Sequence, residues 1–304
     1  MLKKFIVIPL LSLVLIALFV TLGNDTNFTK HAFSNTESSN MEQPNTSNMM
    51  DTMKVLSANS RHYDSNPGNV KSACSYLKKR FESYGYSPLT QSEEHLDIDK
   101  KKRTLGKNLI AVKKNTTKTS KGIIIICAHY DSAKKSLGAN DDASGCSVVL
   151  ETARLLKDMP CAYELRFILF CGEEGGCNGS LYYVKKLSGK EKQIIKAVID
   201  IDSIAQKNFV KPRIFTVSGT KNEATEFIKS AKENNKLTIS KMNRERSDYA
   251  VFDYYKIPAL CIGQPYSNKL QINSNKDTIK EIDKSLLKYV ANIIINAFNG
   301  LPTK

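Results

Sequence analysis

Three largely apolar runs in this chain each end on side chains that can hold a metal or move a proton. Ile123 to Ala128 stops at His129-Tyr130-Asp131, Leu165 to Cys171 at Gly172-Glu173-Glu174-Gly175, and Ile194 to Ile199 at Asp200-Ile201-Asp202. A glycine-bounded segment, Gly138-Ala-Asn-Asp141-Asp142-Ala-Ser-Gly145, follows the first run. Short β-branched runs bounded by turn residues are typical of strands buried on both faces in helix-covered parallel sheets. In such sheets ligands sit beyond the carboxyl ends of the strands. If the three strands are parallel neighbours, His129, Asp131, Asp141, Glu173, Glu174 and Asp202 meet at one edge. So many carboxylates repel one another unless a cation holds them. One imidazole among oxygen ligands points to zinc or a similar divalent metal. The plainer alternative, that each acid is a helix cap or loop residue, suits Asp141 or Asp142 singly but not three strand ends together.

The elements that position these residues can be read from periodicity. Met53 to Tyr84 carries helical spacing broken around Asp64-Ser-Asn-Pro-Gly68, so two helices closed by Gly85 are expected. Asn108–Lys113 reads as a strand before the central one, and Ala143–Asp158 has the apolar repeat of an amphipathic helix. Beyond Cys171 the pattern alternates. It gives a helix through Ser180–Lys185, a strand to Ile201, a strand from Arg213 to Val217 and a helix from Glu223 to Glu233. A short helix then opens at Ser247, a buried strand covers Ile257–Ile262, and a closing helix spans Thr278–Phe298. Strands alternating with helices predict an α/β fold with a mostly parallel, helix-covered sheet.

At 304 residues the chain can hold one sizeable domain with extensions. Its formal charge of +15, from 45 basic and 30 acidic side chains, admits either attraction to anionic surfaces or a lysine-rich solvated face. No compact basic block with interleaved aromatics accompanies it, which excludes a nucleic-acid partner of the usual kind. Seven cysteines do not make a disulfide framework in a chain of this length, and no Cys-x-x-Cys pair occurs. Cys127, Cys171 and Cys261 lie in apolar runs as small buried hydrophobes, and one bridge among the other four is open. His62, with no partner at ligand spacing, reads as a surface or capping histidine.

Lys3 and Lys4 precede an uncharged apolar run from Phe5 to Leu22, the pattern of a signal peptide or an N-terminal membrane anchor across residues 1–23. The basic flank favours an inside N-terminus, with the remainder at the cell membrane as an extracellular domain or secreted. Residues 24–50 are rich in Asn, Ser and Thr and are expected to form a polar tether, leaving 51–304 as the globular domain.

Taken in order, these motifs resemble the zinc-dependent exopeptidases of metallopeptidase family 28. The resemblance is carried by Ala128–Asp131, Gly138–Gly145, Gly172–Gly175 with Gly179-Ser180, Ile201-Asp202 with Ile204, Ser247–Tyr249 with Phe252, and Asp277-Thr278 with Ile282-Asp283. It implies a single globular domain of the zinc-exopeptidase (phosphorylase/hydrolase-like) type and two Zn2+ ions sharing Asp141. His129 and Asp202 complete one metal position; Glu174 and a late histidine complete the other. It also implies that Asp131 orients His129, that the Asp141–Asp142 peptide is cis, and that Glu173 is the general base. Asp200 is the rival of Asp202 as ligand.

The chain departs from the family pattern at the last ligand. Ile272-Asn273-Ser274 stands where a Tyr-His-Thr-like triplet is expected, and no histidine follows His129. Asn273 is therefore the candidate ligand of a weakened second position, since an amide oxygen is a poorer zinc donor than imidazole. The implied function is an aminopeptidase acting on peptide or protein N-termini. The alternatives are a peptidase-fold ectodomain with a binding role and, fitting less well, a glutaminyl cyclase.

Overall fold

The computed structural model of the chain describes residues 42–92, 95–96, 102–103, 106–241 and 247–301. The apolar run Phe5–Leu22 lies outside them, and among the described residues no helix is long and apolar enough to cross a membrane. Helix α1 (Thr46–Leu56) starts inside the stretch expected to be a tether. Its composition conceals a cap and a buried stripe. The Asn45 side chain accepts the N–H of Ser47 at 2.9 Å, the Asn45 N–H donates to Glu151 at 2.7 Å, and Met49, Met50 and Met53 are buried. Folded chain thus begins ahead of the expected boundary at residue 51.

Helix α2 (Pro67–Ser83) follows, then strand β1 (Leu89–Ser92), a small hairpin of β2 (His95–Leu96) and β3 (Lys102–Arg103), and strands β4 (Lys107–Lys113) and β5 (Ile123–His129). Helix α3 (Gly145–Leu156) leads to β6 (Glu164–Phe170), α4 (Asn178–Lys186), α5 (Gly189–Ile194) and β7 (Ile195–Asp202). The chain ends with β8 (Arg213–Thr216), α6 (Glu223–Lys229), β9 (Ile239–Lys241), α7 (Tyr249–Tyr254), β10 (Ala259–Gly263) and α8 (Lys284–Asn299).

Eight strands form one sheet in the order β1-β4-β6-β5-β7-β10-β8-β9. Its centre is parallel: β5 pairs with β6 on one side and β7 on the other, and β7 with β10. Antiparallel pairs flank it, β4 with β6 and β1 with β4 at one side, β10 with β8 at the other. The sheet is therefore mixed, as expected for this fold class, and the three strands that end in chemistry are immediate neighbours.

All seven residues of β5 are buried, and its side chains alternate between two cores. Ile124, Ile126 and Ala128 pack with residues of α1, α2, α3, α6 and α8. Ile123, Ile125 and Cys127 pack on the other face with Tyr183 and Val184 of α4 and Tyr249 and Phe252 of α7. A strand buried on both faces leaves polar side chains room only at its end, where His129 sits.

Two predicted helices are shorter than their periodicity suggests. The closing helix does not run unbroken from Thr278: a single turn at Ile279–Glu281 is followed by extended Ile282, and α8 starts afresh where Asp283 accepts the Ser285 N–H at 2.8 Å. Helix α6 stops at Lys229, ahead of a separate turn at Lys232–Asn234. All seven cysteines are buried, and no disulfide joins them among the described residues. His62 caps a turn, its Nδ1 accepting the Ser65 N–H at 3.0 Å.

Candidate metal centre

Strand register brings the ligand candidates together. His129 ends β5 opposite Phe170 of β6, so the Gly172–Gly175 turn emerges beside it, and β7 delivers Asp202 from the other side. His129 Nε2 lies 3.0 Å from Asp141 Oδ1 and 4.0 Å from Asp202 Oδ1. Ligand atoms of these three residues all fall within 4.8 Å of one another, making them the one such group among the described residues. Asp200, the rival of Asp202, sits one pleat deeper, fully buried, with Oδ2 accepting the Tyr249 N–H at 3.1 Å.

The loop carrying Asp141 is held from three directions. Its Asp141–Asp142 peptide bond is cis. The Asp277 carboxylate accepts the N–H of Asn140 at 2.6 Å and of Asp141 at 3.0 Å. From the β7 side, the N–H of Ala205 donates to Asn140 Oδ1 at 2.7 Å and that of Ser203 to Asp142 Oδ1 at 3.3 Å. Beneath the loop lies Arg61, only 2% exposed, whose guanidinium donates to the carbonyls of Tyr130 at 2.7 Å, Leu137 at 2.8 Å and Gly138 at 3.0 Å, and to that of Leu56.

Two glycines make this packing possible. Gly138 has φ +62, and a Cβ there would lie 2.6 Å from the Asp141 carbonyl oxygen. A Cβ on Gly145 would come within 2.1 Å of the Ile201 carbonyl oxygen.

Asp131 holds the glutamate turn. One of its oxygens accepts the N–H of Glu173 at 3.3 Å and the other that of Glu174 at 3.2 Å, while Oδ1 stands 3.5 Å from His129 Nδ1. Glu173 Oε2 lies 3.9 Å from His129 Nε2. A cavity of about 280 Å³ opens over these groups, with Asp141, Glu173, Glu174 and Asp202 on its floor and Tyr266, Ile272 and Asn273 among its other walls. Asn273, in a left-handed conformation with φ 55, sets its amide group 3.1 and 3.2 Å from the two Glu174 oxygens.

Of the sequence candidates, Asp141, Asp202, Glu173, Glu174 and Asn273 line the cavity, His129 is buried beside Asp141, and Asp131 stands behind the glutamate turn. Sequence reading missed Arg61, Tyr266 and Cys177. The Cys177 thiol, four residues beyond Glu173 on the cavity wall, donates to Glu173 Oε1 at 3.6 Å.

The electrostatics describe a site with too many acids for its protons. Burial raises the Glu173 pKa well above its ordinary value, and the nearby Asp248, Asp202 and Asp141 charges add to that. Burial, with Asp141 beside it, pushes Glu174 up to about 9, and the same two causes raise Asp202. Burial alone would lower the His129 pKa, but the Glu173 charge and the hydrogen bonds to Asp131 and Asp141 outweigh it and hold the imidazole well above its usual range. One positive imidazole cannot offset this many carboxylates, so the pocket favours a bound cation.

The donors at His129, Asp141 and Asp202, one nitrogen with two carboxylates, suit a divalent zinc ion. With the Asn273 amide oxygen turned inward, Asp141, Glu174 and Asn273 would make an all-oxygen set, which suits harder cations better.

The sequence model described as "Peptidase family M28" matches residues 108–298. Aminopeptidase YwaD of Bacillus subtilis (strain 168) is 30% identical over 214 residues, which cover 68% of this chain and 47% of that protein. The chain thus spans about half the length of this curated relative. In fold it is similar to an aminopeptidase from Aneurinibacillus sp. strain AM-1, with TM-score 0.75 and 22% identity over 84% of this chain and 93% of that one. A zinc aminopeptidase of Bacillus subtilis gives TM-score 0.73 and 17% identity over 84% and 94%.

Proposed function

Because the chain belongs to peptidase family M28, we propose that it is a metal-dependent aminopeptidase, hydrolysing the N-terminal peptide bond of peptides or proteins with Glu173 as general base. The observation that carries this reading is the placement of Glu173 over a metal-binding trio: its carboxylate lies 3.9 Å from His129 Nε2 and faces the same cavity as Asp141 and Asp202. Relatives named as aminopeptidases support it.

His129, Asp141 and Asp202 would hold one zinc, and Glu174 and Asn273 with Asp141 a second cation. A divalent ion there supplies Lewis-acid polarisation of the scissile carbonyl and makes water more acidic. Glu173 takes the proton from the attacking water and delivers it to the departing amine. Asp131 fixes both the His129 ring and the Glu173 backbone, so ligand and base keep one relative position. The acidic floor attracts a protonated α-amine, which favours cleavage at an N-terminus. The walls of Tyr266, Leu270 and Ile272 leave an apolar recess for the first side chain.

The location we propose, outside the cell membrane and either tethered or secreted, rests on Lys3, Lys4 and the apolar run Phe5–Leu22. Membrane fractionation of the expressed full chain tests it.

The activity is tested with the full chain reconstituted with zinc, assayed on aminoacyl-anilides and on the same compounds with an acylated amine. Cleavage of the free-amine compounds alone supports the proposal. Binding of peptides without cleavage in any metal state would instead mark a binding domain on a peptidase fold.

A further inference from the structure

Asn273 changes the chemistry of one half of the centre. We infer that the centre is divided by donor type: His129, Asp141 and Asp202 form a nitrogen-bearing position for a firmly held zinc, while Asp141, Glu174 and Asn273 form an oxygen-only position for a harder, exchangeable divalent cation such as Mn2+. This rests on the reading of the cavity as a metal centre and adds that its two positions hold different metals.

Three observations support the division. First, His129 is the single imidazole of the cluster, and its Nε2 is committed to the Asp141 and Asp202 side, at 3.0 and 4.0 Å. Second, the Asn273 amide stands 3.1 and 3.2 Å from the Glu174 oxygens. Donors that share one cation at metal–oxygen distances of about 2.1 Å are separated by roughly 3.0–3.4 Å, so this spacing fits a common ion between them. With its oxygen turned inward, the Asn273 amide is a neutral donor of the kind that Mg2+, Ca2+ and Mn2+ accept, whereas zinc prefers imidazole or thiolate. Third, the two positions differ in access to solvent: His129 is 1% exposed, whereas Asn273 belongs to the exposed residues at the cavity wall. A cation beside Asn273 therefore exchanges with solvent more readily than one beside His129.

The competing arrangement has the Asn273 amide turned the other way, its N–H donating to Glu174 and no ion between them. The two arrangements predict different metal contents.

The test uses the full chain stripped with a chelator and reloaded with zinc, then passed through gel filtration and analysed for metal. One zinc per chain should remain. Mn2+ added to this one-zinc protein should lose about one equivalent of its free-ion electron paramagnetic resonance signal, with affinity about 10- to 100-fold weaker than that for the retained zinc. Glu174→Gln should abolish Mn2+ uptake and keep the zinc, and Asn273→His should retain two zincs through gel filtration.

Two zincs retained by the unaltered chain, or one zinc with no Mn2+ uptake, would overturn the inference. So would a stoichiometry unmoved by Asn273→His. None of these readouts depends on turnover. Failure of the aminopeptidase reading, seen as no hydrolysis in any metal state, is therefore distinguishable from failure of the division.

Discussion

The carboxylate of Asp131 accepts the backbone N–H of Glu173 at 3.3 Å, so the residue behind the His129 imidazole also sets the position of the candidate base. Its other oxygen holds Glu174, and the side chain stands 3.5 Å from His129 Nδ1. Asp131→Asn keeps the shape but replaces one acceptor with a donor that faces an N–H. Metal affinity should fall about 10- to 100-fold, read by competition with a chromophoric chelator, while the thermal midpoint of the metal-loaded protein changes little.

Glu173 is held in its turn through its backbone N–H, and its carboxylate meets the Cys177 thiol, so Glu173→Gln removes the base and leaves the turn in place. Turnover on aminoacyl-anilides should drop about 10²- to 10⁴-fold, with metal content and KM close to those of the unaltered chain. Loss of metal together with activity would show instead that Glu173 is a ligand.

Protonation and metal binding compete in this site, which fixes the sign of a pH effect. Glu173, Glu174 and Asp202 have raised pKa values, and Asp277 is pushed to about 7, chiefly by burial. In the metal-free protein the folded state therefore holds protons that the unfolded state has released above about pH 4. Stability contributed by these groups is greatest at acid pH and declines as pH rises through their folded values, about 7 for Asp277 and about 9 for Glu174. His129, also raised, gives the same sign: its contribution is complete below its unfolded value and is lost as pH rises through the folded one. A bound metal replaces these protons. The difference in thermal midpoint between metal-loaded and metal-free protein should widen from about pH 5 to about pH 8, and a constant or shrinking difference would count against this charge balance.

Asp277 satisfies two buried N–H groups, those of Asn140 and Asp141. Asp277→Ala leaves both without acceptors at a cost of about 2–4 kcal/mol, measurable by urea unfolding, and loosens the Asp141 loop, so metal retention should also fall. Gly145→Ala should act through sterics alone. Its Cβ would press on the Ile201 carbonyl oxygen at 2.1 Å, and stability should fall by about 1–3 kcal/mol or more.

The part of this centre legible in the sequence was the part built from strand ends. β5, β6 and β7 announce themselves as largely apolar runs, and their side-by-side pairing places His129, the glutamate turn and Asp202 together. What the sequence hid was support from a distance. Arg61 falls where the spacing from Met53 to Tyr84 suggests helix, but α1 ends at Leu56 and leaves it between α1 and α2, with nothing nearby to mark it as the donor to carbonyls of residues 130–138. The edge strands β1 and β9 span four and three residues, and β1 is largely exposed, so alternation gave no signal there, whereas β8 matches the strand expected from Arg213 to Val217. Asp283 shows the opposite limit: the helical repeat runs through it, yet local capping wins and starts α8 only at Lys284. The polar stretch of residues 24–50 misled for the same reason, because an N-cap at Asn45 and three methionines suffice to start a docked helix before it ends.

The clamp that Asp277 places on the Asp141 loop also imposes a timetable on synthesis. A ribosome releases β5, the loop and its acids long before it reaches residue 277, so Asp141 emerges without the carboxylate that later fixes its loop. The candidate metal centre is completed only after the segment carrying Asp277 has been made. A nascent or truncated chain ending before Asp277 would carry His129, Glu173 and Asp202 yet lack the carboxylate that fixes the Asp141 loop, so firm metal retention is expected only once residue 277 has emerged.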